Sequence, residues 1–471
     1  MGSLIRQQTL VRSFIANECK NKYLCSLYIS KCFISRSSYK KLSSKIATNI
    51  SKPKINVTHF FNDVATKRTP SELREIASLV DKLPSNCIKL AVGVPNVQTF
   101  PFKGISVELI SGERIELSEL EFSSALQYLP SMGYAPLLHK LKKIQDKYHG
   151  KQNWNEKSIM VTSGAQEGLS KAVDMCMKIG DPIILPEPIY PGAKSLFTVY
   201  DPDIIAIRED ATGMIIEDIE NALRERKLKN LPIPKILYLN PTASNPSGVT
   251  IAEDKKKYIY SLACEFNLLI LEDDPYYHLS FEKQNPVSFM SMDVENRVLR
   301  FDSFSKIMSS GLRVGFVTGP KTLLRQMELH VQSSTIHTSS LSQVLVNKLL
   351  MHWDDDGWVV HINHVKQFYL KKKNYMIKAI KNHLDGLVEW VEPSGGMFLW
   401  LKVIGLEDTK HLVTSKCLDK LVVVAPGYAF STDSKKPSPY LRLSYSIASP
   451  EEVDKGIKLL AESIREELIS R

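Results

Sequence analysis

Residues 302–306 read Asp-Ser-Phe-Ser-Lys, and residues 311–315 read Gly-Leu-Arg-Val-Gly. The mostly apolar run Val298–Phe301 precedes them and predicts a strand, although Arg300 lies within it. Burial disfavours the charged form of a lysine, so a buried Lys306 would lose its proton readily. A neutral lysine amine attacks carbonyl groups and forms a Schiff base with them. The stretch therefore predicts a nucleophilic lysine after a buried strand; a solvated loop lysine is the alternative.

Three side chains close to Lys306 in the sequence suit a phosphate group. Ser303, Ser305 and Arg313 are residue types that donate hydrogen bonds to a dianionic phosphate. Pyridoxal 5′-phosphate carries both an aldehyde and a phosphate, so it needs an amine and phosphate donors in one site. Because short motifs also arise by chance, this cofactor prediction depends on what the rest of the chain supplies.

Predicted strands alternate with predicted helices from about residue 158 onward. This alternation is typical of a mostly parallel sheet with helices on both faces, and ligands of such folds bind beyond the carboxyl ends of the strands. A polar cluster follows each of five predicted strands at that end: Ser163–Gly168, Glu187–Pro191, Asn240–Gly248, Glu272–Tyr277 and Ser303–Lys306. The coincidence favours a single ligand site along one edge of the sheet.

The last third of the chain, from about residue 350, has a different pattern. A long basic helix, His361–Asn382, comes before several short strands and a closing helix, Pro450–Ile469, which Ser449 is placed to cap. The strands predicted there are Leu387–Trp390, Met397–Lys402, Val422–Ala425 and Tyr440–Tyr445. The predicted fold class is therefore α/β, with a large domain built on a mostly parallel sheet between helices and a smaller α+β domain.

These patterns give four predicted segments. Residues 1–50 form a leader, residues 57–110 an N-terminal arm and part of the small domain, residues 111–350 the large cofactor-binding domain, and residues 351–471 the C-terminal small domain. Within the arm, Thr69-Pro-Ser-Glu72 predicts the start of a short helix.

Charge is unevenly distributed along the chain. Residues 1–54 hold 11 of the 61 basic residues and one of the 51 acidic residues, so the remainder holds 50 of each. A basic, serine-rich leader is typical of a mitochondrial transit peptide, which predicts the mitochondrial matrix; a disordered basic tail is the alternative. The neutral remainder does not favour a nucleic-acid partner, and no run of 18 apolar residues predicts a membrane span.

Seven cysteines without a CxxC favour a reduced compartment, and no metal site is predicted.

The ring of the cofactor needs its own contacts. A carboxylate facing the pyridine nitrogen keeps it protonated, and Asp274 at a predicted strand end is the candidate. Tyr277 and Asn245 could reach the ring hydroxyl, and Tyr190 could stack on the ring. The alternatives are an exposed turn aspartate, a turn-forming asparagine and a tyrosine that only fills the core.

Two further elements supply charge for the anionic groups of cofactor and substrate. The helix that begins near Gly164 offers free backbone N–H groups to the phosphate, and Gln166 adds a side chain. Arg442 lies in the largely apolar run Leu441–Tyr445, where an unpaired charge is costly, and a bidentate arginine suits an α-carboxylate. A surface-facing arginine on a half-exposed strand is the alternative.

Together these residues resemble the fold-type I, class I aminotransferases that depend on pyridoxal phosphate. The matching motifs occur in the family's order: Asn240–Gly248, Glu272–Tyr277, Ser303–Gly315 and Tyr440–Arg442. The resemblance runs from about residue 57 to the end, includes Pro95–Phe102 and Ala125–Tyr128, and is closer still to the family's kynurenine/2-aminoadipate branch from animal mitochondria.

The resemblance implies a role for each candidate residue. Lys306 would bind the cofactor and move a proton between the substrate α-carbon and cofactor C4′, with Asp274 on the pyridine nitrogen and Tyr190 on the ring. The ring oxygen would contact Tyr277 and Asn245. The residues implied for the phosphate are Gln166, Ser303, Ser305, Arg313 and, from the other subunit of a homodimer, Tyr128. The residues implied for the substrate are Arg442 and Asn245 at its carboxylate, with Arg74 and Gly93 at its side chain.

Ala165 departs from the family pattern. Close relatives carry serine at this position, so one hydroxyl to the phosphate is missing. A hydrogen bond to a charged group contributes about 1–3 kcal/mol, which predicts weaker cofactor retention at most.

The predicted function is a ping-pong aminotransferase with active sites shared across a homodimer. The resemblance implies that it moves the amino group of 2-aminoadipate, kynurenine or similar amino acids to 2-oxoglutarate. Broad aromatic aminotransferase activity and β-elimination from cysteine conjugates are alternative reactions of the same cofactor. A non-enzymatic role in regulation or assembly is disfavoured because Lys306 is present and no added DNA-binding domain is predicted.

Overall fold

The computed structural model describes residues 55–80, 84, 86, 88, 90, 91 and 93–470. The predicted leader, residues 1–50, lies outside this part of the chain. The described N-terminal region contains helices α1 (Asp63–Thr66), α2 (Glu72–Val80) and α3 (Glu119–Leu126) and the hairpin strands β1 (Ser106–Glu108) and β2 (Arg114–Glu116). The two strands are antiparallel, so the predicted limit between residues 110 and 111 cuts through this hairpin.

An eight-stranded sheet forms the centre of the large domain. Its strands are β3 (Lys157–Thr162), β4 (Pro182–Glu187), β5 (Asp203–Asp210), β6 (Gly213–Met214), β7 (Ile236–Leu239), β8 (Leu269–Asp273), β9 (Val298–Ser303) and β10 (Gly315–Pro320). Their order across the sheet is β3-β10-β9-β8-β7-β4-β5-β6. The neighbouring pairs from β9 through β5 are parallel, whereas β10 is antiparallel to both of its neighbours and β6 is antiparallel to β5.

Helices cover both faces of this sheet. They are α4 (Ala135–His149), α5 (Ala165–Cys176), α6 (Pro191–Thr198), α7 (Ile216–Leu228), α8 (Glu253–Phe266), α9 (Phe289–Met292) and α10 (Lys321–Ser333). Strand β7 and strand β8 are buried throughout, because helices leave neither of their faces in water. On one face, Tyr238, Leu271 and Phe301 share a core with α5, and on the other, Leu237, Ile270 and Val298 share a core with α8. The predicted α/β fold class is confirmed.

The small domain is a four-stranded antiparallel sheet packed on two helices. Its strands, β11 (Val388–Trp390), β12 (Phe398–Val403), β13 (Ala425–Pro426) and β14 (Tyr440–Ser444), have the order β11-β12-β14-β13. The helices are α11 (Ser340–His383) and α12 (Pro450–Ile469). Ser449 caps α12 in a reciprocal capping box with Glu452, as the sequence predicts.

Helix α11 joins the two domains. Its backbone leaves helical geometry at Asp354, where φ is +51°. The predicted limit between residues 350 and 351 falls inside this helix, close to its kink. In the part of the chain that the structure describes, no helix is long and apolar enough to cross a bilayer.

The sheet of the small domain turns one face to its own helices and the other to the large domain. Leu399, Leu401, Leu441 and Leu443 are buried in the core of the small domain. Alternation along the strands places Phe398, Trp400, Tyr440 and Arg442 on the opposite face, and Trp400 is the cross-strand partner of Arg442. This face meets the carboxyl edge of the large sheet, so residues of both domains can share one site.

Candidate active site

Lys306 follows strand β9 at the carboxyl edge of the large sheet. The strand ends at Ser303, and a single 3-10 turn, Phe304–Lys306, leads away from it. The Ser303 hydroxyl fixes the turn by accepting a hydrogen bond from the Ser305 N–H at 3.2 Å. Burial, and then the positive charge of Arg313, lowers the pKa of Lys306. Both effects favour the neutral amine that a nucleophile requires.

Arg313 is held against the start of helix α5. Its guanidinium donates to the carbonyl of Ser163 at 3.1 Å, to the carbonyl of Ser310 at 3.3 Å and to the hydroxyl of Ser305 at 3.4 Å. Gly164, the residue before α5, has a φ of +83°, and a Cβ there would lie 2.5 Å from Arg313 Nη2. The close approach therefore requires a residue without a side chain.

The first turn of α5 completes an anion site. Gly164 provides no side-chain cap, and its carbonyl accepts from the Glu167 N–H at 3.3 Å. The N–H groups of Ala165 and Gln166 are therefore left to other acceptors. These N–H groups, the Arg313 guanidinium and the nearby serine hydroxyls fit a phosphate. Gln166 donates its side-chain amide to the carbonyl of Gly192 at 2.6 Å, which ties α5 to the start of α6.

Tyr190 lies at the centre of the site. It is half-buried at the start of α6. Burial and the Asp273 carboxylate raise the pKa of its hydroxyl, while Arg442 and Arg313 act in the opposite direction. Its electrostatic neighbours thus include the anion-site arginine, a strand-end carboxylate and the arginine of the small domain.

The contacts of Asp274 correct the prediction made for it. Its Oδ2 accepts hydrogen bonds from Arg300 Nη1 at 2.9 Å and from the Thr242 hydroxyl at 3.2 Å. Arg300 is fully buried and also pairs with Glu272 at 3.1 Å and with Asp302 at 2.9 Å. Asp274 Oδ1 is buried without a partner, but the contacts of Oδ2 make the residue part of this ion-pair cluster around Arg300.

Tyr277 lies beside the same cluster. Its hydroxyl donates to the backbone carbonyl of Tyr148 at 3.1 Å, and the Arg300 guanidinium lies 4.8 Å from its ring centre. Its ring also packs against His149, with ring centres 4.6 Å apart. These contacts place the Tyr277 hydroxyl on the Tyr148 carbonyl and its ring beside Arg300 and His149, so the prediction for Tyr277 is corrected as well.

The preceding aspartate, Asp273, lies on the other face of strand β8. Successive side chains of a strand point to opposite faces, so Asp273 and Glu272 of β8 diverge. Asp273 accepts a hydrogen bond from the Tyr238 hydroxyl at 2.9 Å on the face that also carries α5. Burial raises the pKa of Asp273 to about 7; the Tyr238 hydrogen bond acts against this shift, and the neighbouring carboxylates add to it.

Tyr276 keeps the spacing of three residues from Asp273. It is buried, and burial, Asp273 and Tyr190 raise the pKa of its hydroxyl, while Arg442 acts in the opposite direction. Electrostatic contacts therefore join Tyr276 to the groups around the site. Arg300 is the sequence feature that could have distinguished Asp273 with Tyr276 from Asp274 with Tyr277. A charged residue inside an apolar strand needs carboxylates on its own face of the sheet, and Asp274 supplies one of them.

Arg442 brings an arginine from the small domain into the site. Its Nη1 donates to Asn245 Oδ1 at 3.0 Å, and its guanidinium lies 4.1 Å from the ring centre of Phe398 and 4.8 Å from that of Phe430. Burial lowers the pKa of Arg442. Its Nε is buried without a hydrogen-bond partner. A buried, unpartnered donor between two aromatic rings fits an incoming carboxylate.

The remaining predicted residues lie in the N-terminal region. The Arg74 guanidinium lies 5.2 Å from the ring centre of Tyr128, whose ring also contacts His337 at 5.9 Å. Gly93 is exposed, and a Cβ built on it would meet nothing within 4 Å. The described contacts of Arg74 and Tyr128 are thus with aromatic neighbours.

Comparison with known proteins identifies the family. The model of the family "Aminotransferase class I and II" matches residues 85–460. The chain belongs to this family. The enzyme is 39% identical to the mitochondrial kynurenine/alpha-aminoadipate aminotransferase of Bos taurus over 425 residues, which cover 88% of this chain and all of that protein. It is 31% identical to aromatic-amino-acid aminotransferase 1 of Thermococcus litoralis over 430 residues, or 91% and 99% of the two chains.

Solved structures of similar enzymes have the same fold. The kynurenine aminotransferase of Pyrococcus horikoshii matches this aminotransferase with a TM-score of 0.69 and 32% identity, over 88% of this chain and 98% of that chain. The aromatic aminotransferase Aro9 of C. albicans matches with a TM-score of 0.79 and 26% identity, also over 88% of this chain and 98% of that chain. The enzyme is therefore a fold-type I aminotransferase that uses pyridoxal 5′-phosphate, and the anion site and the lysine fit that group.

Proposed function

We propose that this aminotransferase moves the amino group of kynurenine, 2-aminoadipate or a similar amino acid to 2-oxoglutarate. The observation that carries the proposal is the buried, unpartnered Nε of Arg442, which lies between the rings of Phe398 and Phe430. An arginine so placed suits the α-carboxylate that both substrates of a transamination share. The similarity to relatives named kynurenine/alpha-aminoadipate aminotransferase supports this choice of substrates.

Pyridoxal phosphate, when bound, supplies the electron-withdrawing ring that stabilises negative charge at the substrate α-carbon. Arg313, Ser303, Ser305 and the N–H groups at the start of α5 would hold its phosphate. In place of Asp274 and Tyr277, we propose that Asp273 faces the ring nitrogen and that Tyr276, together with Asn245, contacts the ring oxygen. Tyr190 would lie against the ring.

Lys306 is the proposed proton carrier. Its amine would take the proton from the substrate α-carbon and deliver it to C4′ of the cofactor. A general base works best when its pKa lies near the working pH, and burial and Arg313 shift the pKa of Lys306 downward, in that direction.

Arg442 would orient the substrate for this transfer. Two parallel hydrogen bonds from its guanidinium fix the α-carboxylate, while Phe398 and Phe430 exclude water from around the pair. The Asn245 side chain already holds one edge of the guanidinium, so little reorganisation is needed when the substrate binds.

A homodimer would complete the site. The Arg74 guanidinium lies against the Tyr128 ring, and Gly93 is exposed. We propose that Arg74, Tyr128 and Gly93 serve the site of the partner subunit. There Tyr128 would contact the cofactor phosphate, and Arg74 and Gly93 would line the substrate side chain. The proposed location is the mitochondrial matrix, supported by the basic leader and by relatives with mitochondrial names.

A donor-by-acceptor activity screen tests the proposal. Purified holoenzyme should transaminate kynurenine and 2-aminoadipate with 2-oxoglutarate, and Arg442→Lys should raise the KM for both donors and for the acceptor. Preference for phenylalanine or tyrosine would indicate a broad aromatic aminotransferase instead. Pyruvate and ammonia formed from cysteine conjugates without an acceptor would indicate β-elimination. Lack of turnover with every donor would refute the proposal.

A further inference from the structure

A cavity separate from the candidate active site lies between the two domains, next to Trp400, the cross-strand partner of Arg442. Its volume is about 650 Å³. The large domain contributes Glu209 and Ser247, and the small domain contributes Trp390, Trp400 and Tyr440. None of the residues proposed to contact the cofactor or the substrate lines it. The cavity is therefore not part of the active site already described.

One aromatic ring separates this cavity from Arg442. Phe430 packs edge-on against Trp400, with ring centres 5.4 Å apart, and its ring centre also lies 4.8 Å from the Arg442 guanidinium. On the cavity side, Trp400 and Tyr440 stack in parallel at 5.1 Å. The small domain thus gives the cavity an aromatic wall of the kind that a flat ring packs against.

The opposite wall carries a carboxylate with an unused acceptor. Glu209 Oε2 is enclosed and has no hydrogen-bond partner. Burial raises the pKa of Glu209 to about 7, and the Ser247 hydroxyl, which hydrogen-bonds the carboxyl group, acts in the opposite direction. The last torsion of a glutamate is broad, so a small rotation presents either oxygen to the cavity.

Other carboxylates that line the cavity already have partners. Asp210 pairs with Lys255 at 2.7 Å, and Glu389 pairs with Lys402 at 3.2 Å. Glu187 Oε2 accepts from the Thr432 N–H at 2.6 Å and from its hydroxyl at 2.5 Å. Asp433 Oδ1 accepts a hydrogen bond from the Lys435 N–H at 3.1 Å. Glu209 is therefore the lining carboxylate that a ligand can engage without breaking one of these contacts.

We propose that this cavity is a second small-molecule site, which binds an aromatic amine that has no carboxylate. The ring would pack on Trp400, Tyr440 and Trp390, and the protonated nitrogen would donate to Glu209. A cation beside aromatic faces gains further attraction from the rings. The ligand would bridge the two domains and lie one ring away from Arg442.

N,N-dimethylbenzylamine is a suitable probe for this site. It has a phenyl ring and one N–H donor when protonated. As a tertiary amine it cannot form a Schiff base with the cofactor, so its binding signal is independent of Lys306. Calorimetric titration of the holoenzyme should show one site per chain. Benzyl methyl ether, which has the ring but no donor, should bind about tenfold or more weakly, as expected when a hydrogen bond to a charged group is lost.

Two variants and one control locate the probe. Glu209→Gln removes the charge at nearly constant shape and should weaken probe binding about tenfold. Val391→Trp partly fills the cavity from its exposed edge and should also weaken binding, even if Glu209→Gln fails to fold. Glu389→Gln, at the exposed rim, should leave binding unchanged. Undetectable binding to the wild type, or equal affinity for the wild type and the two cavity variants, would overturn the proposal.

Discussion

At the scale of single residues, the site depends on which side of strand β8 a carboxylate faces. Glu272, Asp273 and Asp274 are consecutive acids, and Tyr276 and Tyr277 are consecutive tyrosines. Sequence spacing alone allows either aspartate to pair with the tyrosine three positions later. The buried guanidinium of Arg300 separates the pairs, because it takes Glu272 and Asp274 for its own neutralisation.

Substitution of each aspartate by asparagine distinguishes these roles. Asp273→Asn should lower kcat by about 10²-fold or more, because the ring nitrogen loses its charged partner while the strand keeps its shape. Asp274→Asn should lower the free energy of unfolding by about 1–3 kcal/mol, through the weakened Arg300 cluster, and leave the kcat of folded enzyme near that of the wild type. Steady-state kinetics and thermal unfolding measure the two effects. The opposite kinetic pattern would restore Asp274 to the cofactor.

Asp273 also gives the apoenzyme a pH dependence. The pKa of its carboxyl is raised from 3.8 to about 7 in the folded chain. Its stabilising contribution is therefore complete below about pH 4 and is lost as the pH rises through 7. Asp273→Asn has no such loss, so apo Asp273→Asn should gain about 1–3 kcal/mol of stability relative to apo wild type between pH 5 and pH 8. Denaturant unfolding of both apo proteins at pH 5 and pH 8 measures this gain. A difference in unfolding free energy between variant and wild type that is the same at both pH values would refute the prediction.

Other residue predictions depended on less ambiguous signals. Lys306, Arg313 and Arg442 each belong to a motif with a single residue of the required type, so a shift by one position could not arise. The roles of Arg74, Gly93 and Tyr128 follow from the family resemblance and not from a sequence pattern, because their proposed partners belong to a second subunit.

At the scale of elements, the carboxyl edge of the sheet could be predicted because each strand ends in a polar cluster. Strand β9 was expected at Val298–Phe301 and extends to Ser303. The strand expected at Val422–Ala425 is reduced to Ala425–Pro426, because Leu421 has a positive φ and the Val422 N–H bonds back to the carbonyl of Cys417. An apolar run such as Val422–Ala425 contains no residue type that would predict a turn of this kind.

The start of helix α5 gives a test at this scale. Gly164→Ala places a Cβ 2.5 Å from Arg313 Nη2 and should displace the guanidinium. We expect cofactor affinity to fall about tenfold or more, as for a lost charged hydrogen bond. Gly180→Ala is the matched control, because its φ of +79° imposes similar backbone strain but its Cβ meets nothing within 4 Å. Equal cofactor retention in the two variants, measured by equilibrium dialysis, would contradict the account of Arg313.

At the scale of the whole molecule, two domains and a proposed second subunit build one site. The large domain supplies Lys306 and Asp273, and the small domain supplies Arg442. The order of the motifs along the chain was sufficient to predict the two-domain architecture. The predicted limits themselves fall inside a hairpin and inside the kinked helix α11.

Subunit mixing tests the shared site. Lys306→Ala and Tyr128→Ala dimers should each have low activity, and equal mixing with subunit exchange should restore about a quarter of wild-type activity, because half of the dimers contain one intact site. Mixing Lys306→Ala with Arg442→Ala should restore none, since these two residues serve the same site from one chain. Restoration by the second mixture, or none by the first, would contradict the proposed assembly.

The central claim is that the amine of Lys306 is the one that binds the cofactor aldehyde. Borohydride reduction of the holoenzyme, followed by peptide mass spectrometry, measures this directly, because reduction makes the carbon–nitrogen bond permanent. We predict a single phosphopyridoxyl adduct, on Lys306, and none on an unreduced sample. An adduct on another lysine, or no adduct on a cofactor-loaded, active enzyme, would contradict the account.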